Sequence, residues 1–361
     1  MIAFASRRPD SPFSFTATTM STDWISFLNT QGLATNGADF GAAADELRAA
    51  DSRSVVAPLT DFGVIRASGA DAADFLHNLM TNDVNGIDAH VARFAGFCTP
   101  KGRLLATFLI WREGDDLLLM VSRDIHAMML KKLSMYVLRS KVKLTDASAE
   151  IALIGFKAAT GTVLPAPTFS SAAGNMPVHG AIDSDGGKAI RLDASRWLLA
   201  LRPDAAIQAW STLVAAATPV GLSTWQWLDI IAGQPRVVAA TQEAFVPQML
   251  NMEHAAVAGV SFTKGCYPGQ EIVARTQYLG KVKRRMYRAR LPAAFAPGVH
   301  VFAPETADQH CGALVSVAPV PGGGYEALVC VQSGAVDAGE VHLGSIDGPR
   351  LEFLDLPYTV V

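Results

Sequence analysis

Residues 264–275 read Lys-Gly-Cys-Tyr-Pro-Gly-Gln-Glu-Ile-Val-Ala-Arg, and the assignment of the fold rests on this stretch. One thiol, Cys266, stands in a glycine-flanked loop, with Lys264 before it and Glu271 after it. Gly265 and Gly269 allow backbone angles that other residues resist, which predicts a tight, exposed bend. Structural cysteines usually sit among apolar residues, and no aliphatic side chain adjoins this one. Positive charge on Lys264 would favour the thiolate. The competing role is a plain irregular loop whose glycines serve only the turn.

Working outward, residues 270–275 place Glu271 and Arg275 one helical turn apart, where an ion pair would fix the loop. Upstream, Ser223 followed by Gln226 has the spacing of a capping box. The apolar run Trp225, Trp227, Leu228, Ile230 and Ile231 continues that helix, and Gly233 with Pro235 stops it. Residues 21–50 read as helical and residues 55–67 as a strand. Helices are expected over 71–80, 124–139 and 204–217, and strands over 94–99, 104–111 and 117–122. Met128 and Met129, at helical spacing, read as core filler rather than ligands. Beyond Arg285, short strand-like segments separated by Gly and Pro indicate an all-β domain over 286–361, a small barrel. No internal repeat and no low-complexity tract is present.

The chain has 361 residues, half of them hydrophobic, and a formal charge of −3. A chain of that charge is not an electrostatic nucleic-acid binder as a whole. The basic stretch 281–290 is interrupted by Val282, Met286 and Tyr287 and reads as a strand with a solvated basic edge. Cys98, Cys266, Cys311 and Cys330 are far apart and show no metal-ligand spacing, so no stably bound metal is expected and a reducing, cytoplasmic setting is the default. No apolar run approaches the roughly 20 residues of a membrane span. Residues 1–22 read as a disordered tail, with a true start at Met20 as the alternative.

No P-loop, nucleophile elbow, zinc-protease motif or dinucleotide fingerprint occurs. His77, His126 and His254 are scattered, so Cys266 has no general base nearby in sequence; a distant histidine would have to fold beside it. The stretch Trp225-Gln226-Trp227 could offer a ring for stacking on a heteroaromatic ligand, with core packing as the competing role.

Taken together, Trp227, Asp229, 232–235, Pro247-Gln248, Asn251, Lys264-Gly265-Cys266-Tyr267, Gly269-Gln270-Glu271 and Arg275 resemble the YgfZ family. The resemblance runs from about Val55 to the C-terminus and includes 69–71, 81–84, 100–102 and 140–142. These are folate-binding proteins linked to iron–sulfur cluster assembly or repair and to tRNA thiomodification, similar in fold to the glycine-cleavage T-protein. The resemblance implies an α+β, three-domain ring with a C-terminal β-barrel, in which residues 23–285 form the folate-binding region as two interleaved subdomains. It implies tetrahydrofolate or a one-carbon derivative as ligand, framed by Trp227 and Phe62, with Cys266 and Lys264 as the functional thiol and lysine. It also implies iron–sulfur client or assembly proteins as partners, with neither direct nucleic-acid contact nor a membrane.

Two departures from the family pattern matter. Pro268 stands where threonine is common, which stiffens the bend and removes a hydroxyl and an N–H. The stretch corresponding to the T-protein catalytic carboxylate, 102–108, carries no Asp or Glu, so glycine-cleavage chemistry lacks its expected acid. The leading expectation is a folate-binding accessory protein acting through Cys266. A T-protein-type aminomethyltransferase and a non-catalytic folate-binding scaffold are the alternatives.

Overall fold

A computed structural model of the chain describes residues 20–160, 176–184, 186–278, 280, 282–306 and 309–360. The expected tail therefore lies, up to residue 19, outside the described residues. Ordered structure starts before residue 23: the Ser21 hydroxyl caps α1 (Thr22–Thr30) by accepting from the Trp24 N–H. The helix expected over 21–50 is two helices. A loop separates α1 from α2 (Ala43–Ser52), because Gly32, Gly37 and Gly41 break the run.

The expected strand over 55–67 is likewise two strands, β1 (Val55–Pro58) and β2 (Phe62–Ser68), separated by the turn at 59–61. After β2 come α3 (Ala72–His77), β3 (Arg93–Cys98), β4 (Leu104–Glu113), β5 (Asp116–Ser122), α4 (Arg123–Ser134) and β6 (Lys143–Asp146). The five strands form one antiparallel sheet, ordered β3-β4-β5-β2-β6. Phe75, Leu76, Ile125, Met129 and Leu133 from α3 and α4 cover one face of it. The first eight residues of β4 are buried without a break, since the other face is covered as well. α4 stops at Ser134, short of the expected residue 139. The chain must turn back to lay β6 on β2, and the Lys141 N–H is held by Asp71 Oδ2 at 2.7 Å. Met129 fills the core as expected, whereas Met128 is 41% exposed.

The chain then returns to β1. β7 (Ala152–Lys157), β8 (Ala181–Ser184), β9 (Gly187–Arg191), β10 (Arg196–Leu201), α5 (Pro203–Ala216) and β11 (Thr218–Pro219) complete a second sheet, ordered β11-β1-β7-β10-β9-β8. Trp24 and Leu28 of α1, with Trp210 and Leu213 of α5, pack on one face. α6 (Leu222–Ile231) packs on the other, where the Trp225 ring lies on the backbone of Gly155. A Cβ at Gly155 would sit 2.5 Å from that indole, so only glycine admits the contact.

The capping box expected at Ser223 does not form. α6 starts two residues earlier than that box requires, with Gly221 as N-cap, and the buried carboxylate of Glu46 accepts from the Gly221 N–H at 2.8 Å and from the Phe40 N–H at 2.6 Å. Gln226, freed from that role, turns to Asp61.

Downstream lie α7 (Gln270–Tyr278), β12 (Arg284–Leu291), β13 (His300–Phe302), β14 (His310–Pro319), β15 (Tyr325–Gln332), α8 (Ser333–Ala338), β16 (His342–Leu343) and β17 (Glu352–Leu354). Their sheet, ordered β16-β13-β14-β15-β12-β17, is curled by bulges in β13 and β14, and a bridge between His342 and Arg350 draws its two edges together. It is a curled half-barrel where the sequence predicted a small barrel. The basic stretch does form a strand, but its arginines are tethered: Arg285 pairs with Glu253, Arg288 with Glu326 and Arg290 with Glu352. Among the described residues no helix is long and apolar enough to cross a membrane.

Glu46→Ala should destabilise the protein by about 2–4 kcal/mol, because it strands two inward-facing N–H groups. Urea denaturation followed by circular dichroism checks this; an unchanged midpoint would mean that water replaces the carboxylate.

Candidate functional site

A cavity of about 900 Å³ opens where α1, the 59–61 turn, the start of α4, α6 and the curled sheet converge. Its floor is a charged network. Arg236 donates from Nε and Nη2 to Ser122 Oγ, at 3.0 and 2.7 Å, and pairs through Nη1 with the Asp61 carboxylate. Gln226 Nε2 donates to the same carboxylate oxygen at 3.1 Å. The other oxygen, Asp61 Oδ1, is buried and has no hydrogen-bond partner among the described residues. An orphaned carboxylate oxygen is costly unless a donor arrives from elsewhere. Arg123 also lines the cavity, with the apolar Leu222, Val315 and Val317.

Behind Arg236 lies a second, smaller chamber of about 70 Å³, lined by Phe62, Phe94, Trp225, His179, Arg196 and Asp229 among others. The Arg236 guanidinium stacks on the Phe62 ring, 3.9 Å from its centroid, and so covers the face that the sequence offered to a ligand. Arg196 is almost fully buried and bonds Asp193 at 2.6 Å and Asp229 at 2.5 Å. Burial opposes its charge, and the two carboxylates more than offset that. His179 is held neutral: burial, then the neighbouring Arg93, push its pKa down to about 4.

Trp227 is placed elsewhere. Its indole is 5% exposed, lines neither cavity, and donates from Nε1 to Glu326 Oε2 on β15 at 3.3 Å. The structure therefore does not bring Trp227 and Phe62 to one cleft; Trp225 is the indole that shares a chamber with Phe62. Residues two apart on a helix point to nearly opposite sides, so only one of the two indoles could face that chamber. Asp61, Ser122 and Arg236 escaped the sequence reading, which gave Gln226 a capping role instead. A charged residue in a strand-to-strand turn beside Phe62, and an arginine just after the Gly233–Pro235 helix stop, were the available signals.

The thiol loop has its own surroundings. Cys266 is a free, exposed thiol, whereas burial pushes Cys98, Cys311 and Cys330 up to about 12, 11 and 12. Gly269 has φ +81° and packs against the 99–102 turn, where a Cβ would lie 2.5 Å from the Thr99 carbonyl oxygen. Gly265 keeps the chain open beside α3, and its carbonyl accepts from Gln270 Nε2 at 3.4 Å. Tyr267 is buried under the Lys264 ammonium, which lies 4.7 Å from its ring centroid. Lys264 Nζ donates to the carbonyls of His77 and Met80. Burial lowers Lys264 to about 8, against the pull of Asp83 and Cys266. Glu271 and Arg275 both lie exposed on α7, and no ion pair joins them among the described residues. None of these loop residues lines either cavity. On β4, Thr107 accepts from the Val237 N–H at 3.2 Å, and the segment 104–107 is buried and carries no acid.

The fold is T-protein-like. Residues 12–163 match the GCVT N-terminal domain family. The aminomethyltransferase T of the glycine cleavage system from Bartonella henselae superposes with a TM-score of 0.70, covering 93% of this chain and 97% of that one at 14% identity. The tRNA-modifying protein YgfZ of Photobacterium profundum is 33% identical over 232 residues, which is 63% of this chain and 68% of that protein. Its counterpart in Vibrio vulnificus is 31% identical over 252 residues, 70% of this chain and 72% of the relative. That of Colwellia psychrerythraea is 34% identical over 230 residues, 63% and 69% respectively. The chain belongs to the YgfZ family.

His179 supplies a pH test of the chamber. Its folded pKa is depressed, so the unfolded chain takes up the proton first as pH falls, and stability is lost between about 6.5 and about 4. Wild-type urea midpoints should drop more steeply over that window than those of His179→Gln; parallel profiles would place the titration elsewhere.

Proposed function

We propose that this chain binds a reduced folate in the large cavity and presents Cys266 as its reactive group, in support of tRNA modification and of iron–sulfur enzymes. The observation that carries the folate reading is Asp61 Oδ1, a buried acceptor without a donor at the edge of a cavity of about 900 Å³. A pterin offers ring and amino N–H donors of the kind this oxygen lacks. Leu222, Val315 and Val317 supply the apolar wall that a flat ring needs, and Arg123 supplies a cation for the carboxylates of a glutamyl tail. The small chamber is too tight for a bicyclic ring, so Phe62 supports the floor through Arg236 and Trp225 packs under Arg196 rather than stacking on the ligand. Bound folate would supply a one-carbon carrier; the chain's own groups orient it and exclude water. Tying the family to tRNA modification follows the relatives' names, and the iron–sulfur role follows the motif around Cys266.

The thiol lines neither cavity, which supports two separate sites, one for the ligand and one for a partner's sulfur or iron. The aminomethyltransferase alternative is disfavoured because 102–108 offers no acid for proton transfer to the substrate.

Tetrahydrofolate should quench the tryptophan fluorescence of the purified protein saturably. Asp61→Asn should weaken that binding at least tenfold, about 1.4 kcal/mol, with secondary structure retained. A wild-type titration without saturation would overturn the folate reading. Separately, Cys266→Ser should fold and bind folate normally yet fail to restore iron–sulfur enzyme activity in a deletion strain. Full complementation by this variant would remove the thiol from the function.

A further inference from the structure

The end of the molecule that carries the thiol loop also carries most of its exposed apolar side chains. Eight large ones are exposed among the described residues, and six of them lie on two segments beside that loop. Met128, Met135, Tyr136 and Leu138 belong to α4 and the corner that joins it to β6; Ile272 and Tyr278 belong to α7. Leu138 is 87% exposed and Met135 71%. The corner reaches the loop through a short series of contacts. The Tyr136 ring meets Phe97 edge-on at 5.9 Å, Phe97 is bridged to Met80, and the Met80 carbonyl accepts from Lys264 Nζ. On the other side, Ile272 lies against Gly102, in the turn that receives Gly269. The corner is also cationic. Residues 125–145 carry Lys131, Lys132, Arg139, Lys141 and Lys143 and no Asp or Glu. No ion pair neutralises any of the five among the described residues, and Asp71, beside the corner, accepts from the Lys141 backbone N–H at 2.7 Å. On β12, by contrast, Arg285, Arg288 and Arg290 each have a carboxylate of their own.

We propose that the corner 128–143 is the docking surface for an acidic protein partner, whose apolar groups cover Leu138 and Met135 and whose carboxylates meet the five cations. The proposal deepens the reading of Cys266 as a group presented to a partner, and it takes from that reading only that a partner comes to this end of the molecule. An apolar centre with charges around it is the build of a protein interface, and Met, Tyr and Arg are the residue types enriched there. The complementary charge selects the partner and steers its approach. Three other occupants fit less well. A two-fold contact with a second copy of this chain would set the cationic run against itself. A membrane-surface helix lays its apolar face into lipid, but Ile125, Met129 and Leu133, the apolar face of α4, are already spent on the inner sheet. Nucleic acid would use the cations and Tyr136 and leave Leu138 and Met135 uncovered.

The test is complementation by the full chain in a deletion strain. Leu138→Glu, and separately the pair Lys131→Glu with Lys141→Glu, should each cut the restored iron–sulfur enzyme activity at least about fivefold. All three positions are exposed, so the purified variants should keep the wild-type urea midpoint and folate titration. Ile346→Glu puts the same charge on an exposed apolar site outside the corner and should complement like wild type. With p-benzoylphenylalanine in place of Leu138, irradiation of cells should give a discrete adduct with one acidic protein, and the double charge reversal should abolish it. Full complementation by both corner variants would overturn the proposal, as would an adduct with a second copy of this chain. Saturable binding of bulk tRNA or of phosphatidylglycerol vesicles to the purified protein, abolished by the same charge reversal, would assign the surface to those ligands and overturn it too. Cys266→Ser keeps this result apart from the thiol reading. If it fails to complement while the corner variants succeed, the surface falls and the thiol stands; if it complements while they fail, the thiol falls and the surface stands.

Discussion

The architecture depends on a single helix wedged between two sheets. α6 carries Trp225 toward the Gly155 backbone of one sheet and Trp227 toward Glu326 of the other. Asp229 locks it in place through Arg196, an arginine whose buried charge is balanced by two carboxylates. Removing one partner of such a pair leaves an uncompensated buried charge, typically a loss of about 3–5 kcal/mol. The helix start is fixed by Glu46, which belongs to another helix far earlier in the chain. One wall of the large cavity is thus fixed by α6, which contributes Leu222 and Gln226.

The same wedge separates the large cavity from the thiol loop. Gln226 and Arg236 aim their donors at Asp61 on one side of the helix-stop loop. The chain then passes through Gln248 and Asn251, whose amides bond the carbonyls of Val273 and Met286 and so brace α7 and β12, the elements that follow the thiol loop. Cys266 emerges next to α3, against the sheet formed by β2 to β6.

Much of this could be read from the residues alone. The hairpin of β3 and β4, the helices α4 and α5, the exposed thiol and the helix stop at Gly233 all follow from local periodicity and turn chemistry. The orientation of the two indoles does not. α6 is apolar on most of its circumference, so no hydrophobic stripe marks which face meets which sheet. The role of Gln226 was misread because its spacing to Ser223 has a local meaning, while the real cap is supplied by a carboxylate distant in sequence. The contact of Lys264 with the His77 carbonyl was invisible for the same reason: nothing between residues 77 and 264 announces that α3 and the loop will touch. The Glu271–Arg275 spacing was correct for a helix, but both side chains point into water, where an ion pair gains little.

The nesting of one sheet inside another has a kinetic meaning. All pairings among β2, β3, β4, β5 and β6 lie within one continuous run of chain, so this sheet can assemble as it leaves the ribosome. β1 emerges earlier yet must wait, since its partners β7 and β11 are synthesised only after that whole run. Loop closure over such a span is entropically slow unless the inserted segment has already compacted and brought its ends together. The inner sheet thereby acts as a folding template for the outer one, and the high contact order of the molecule is met in stages rather than at once.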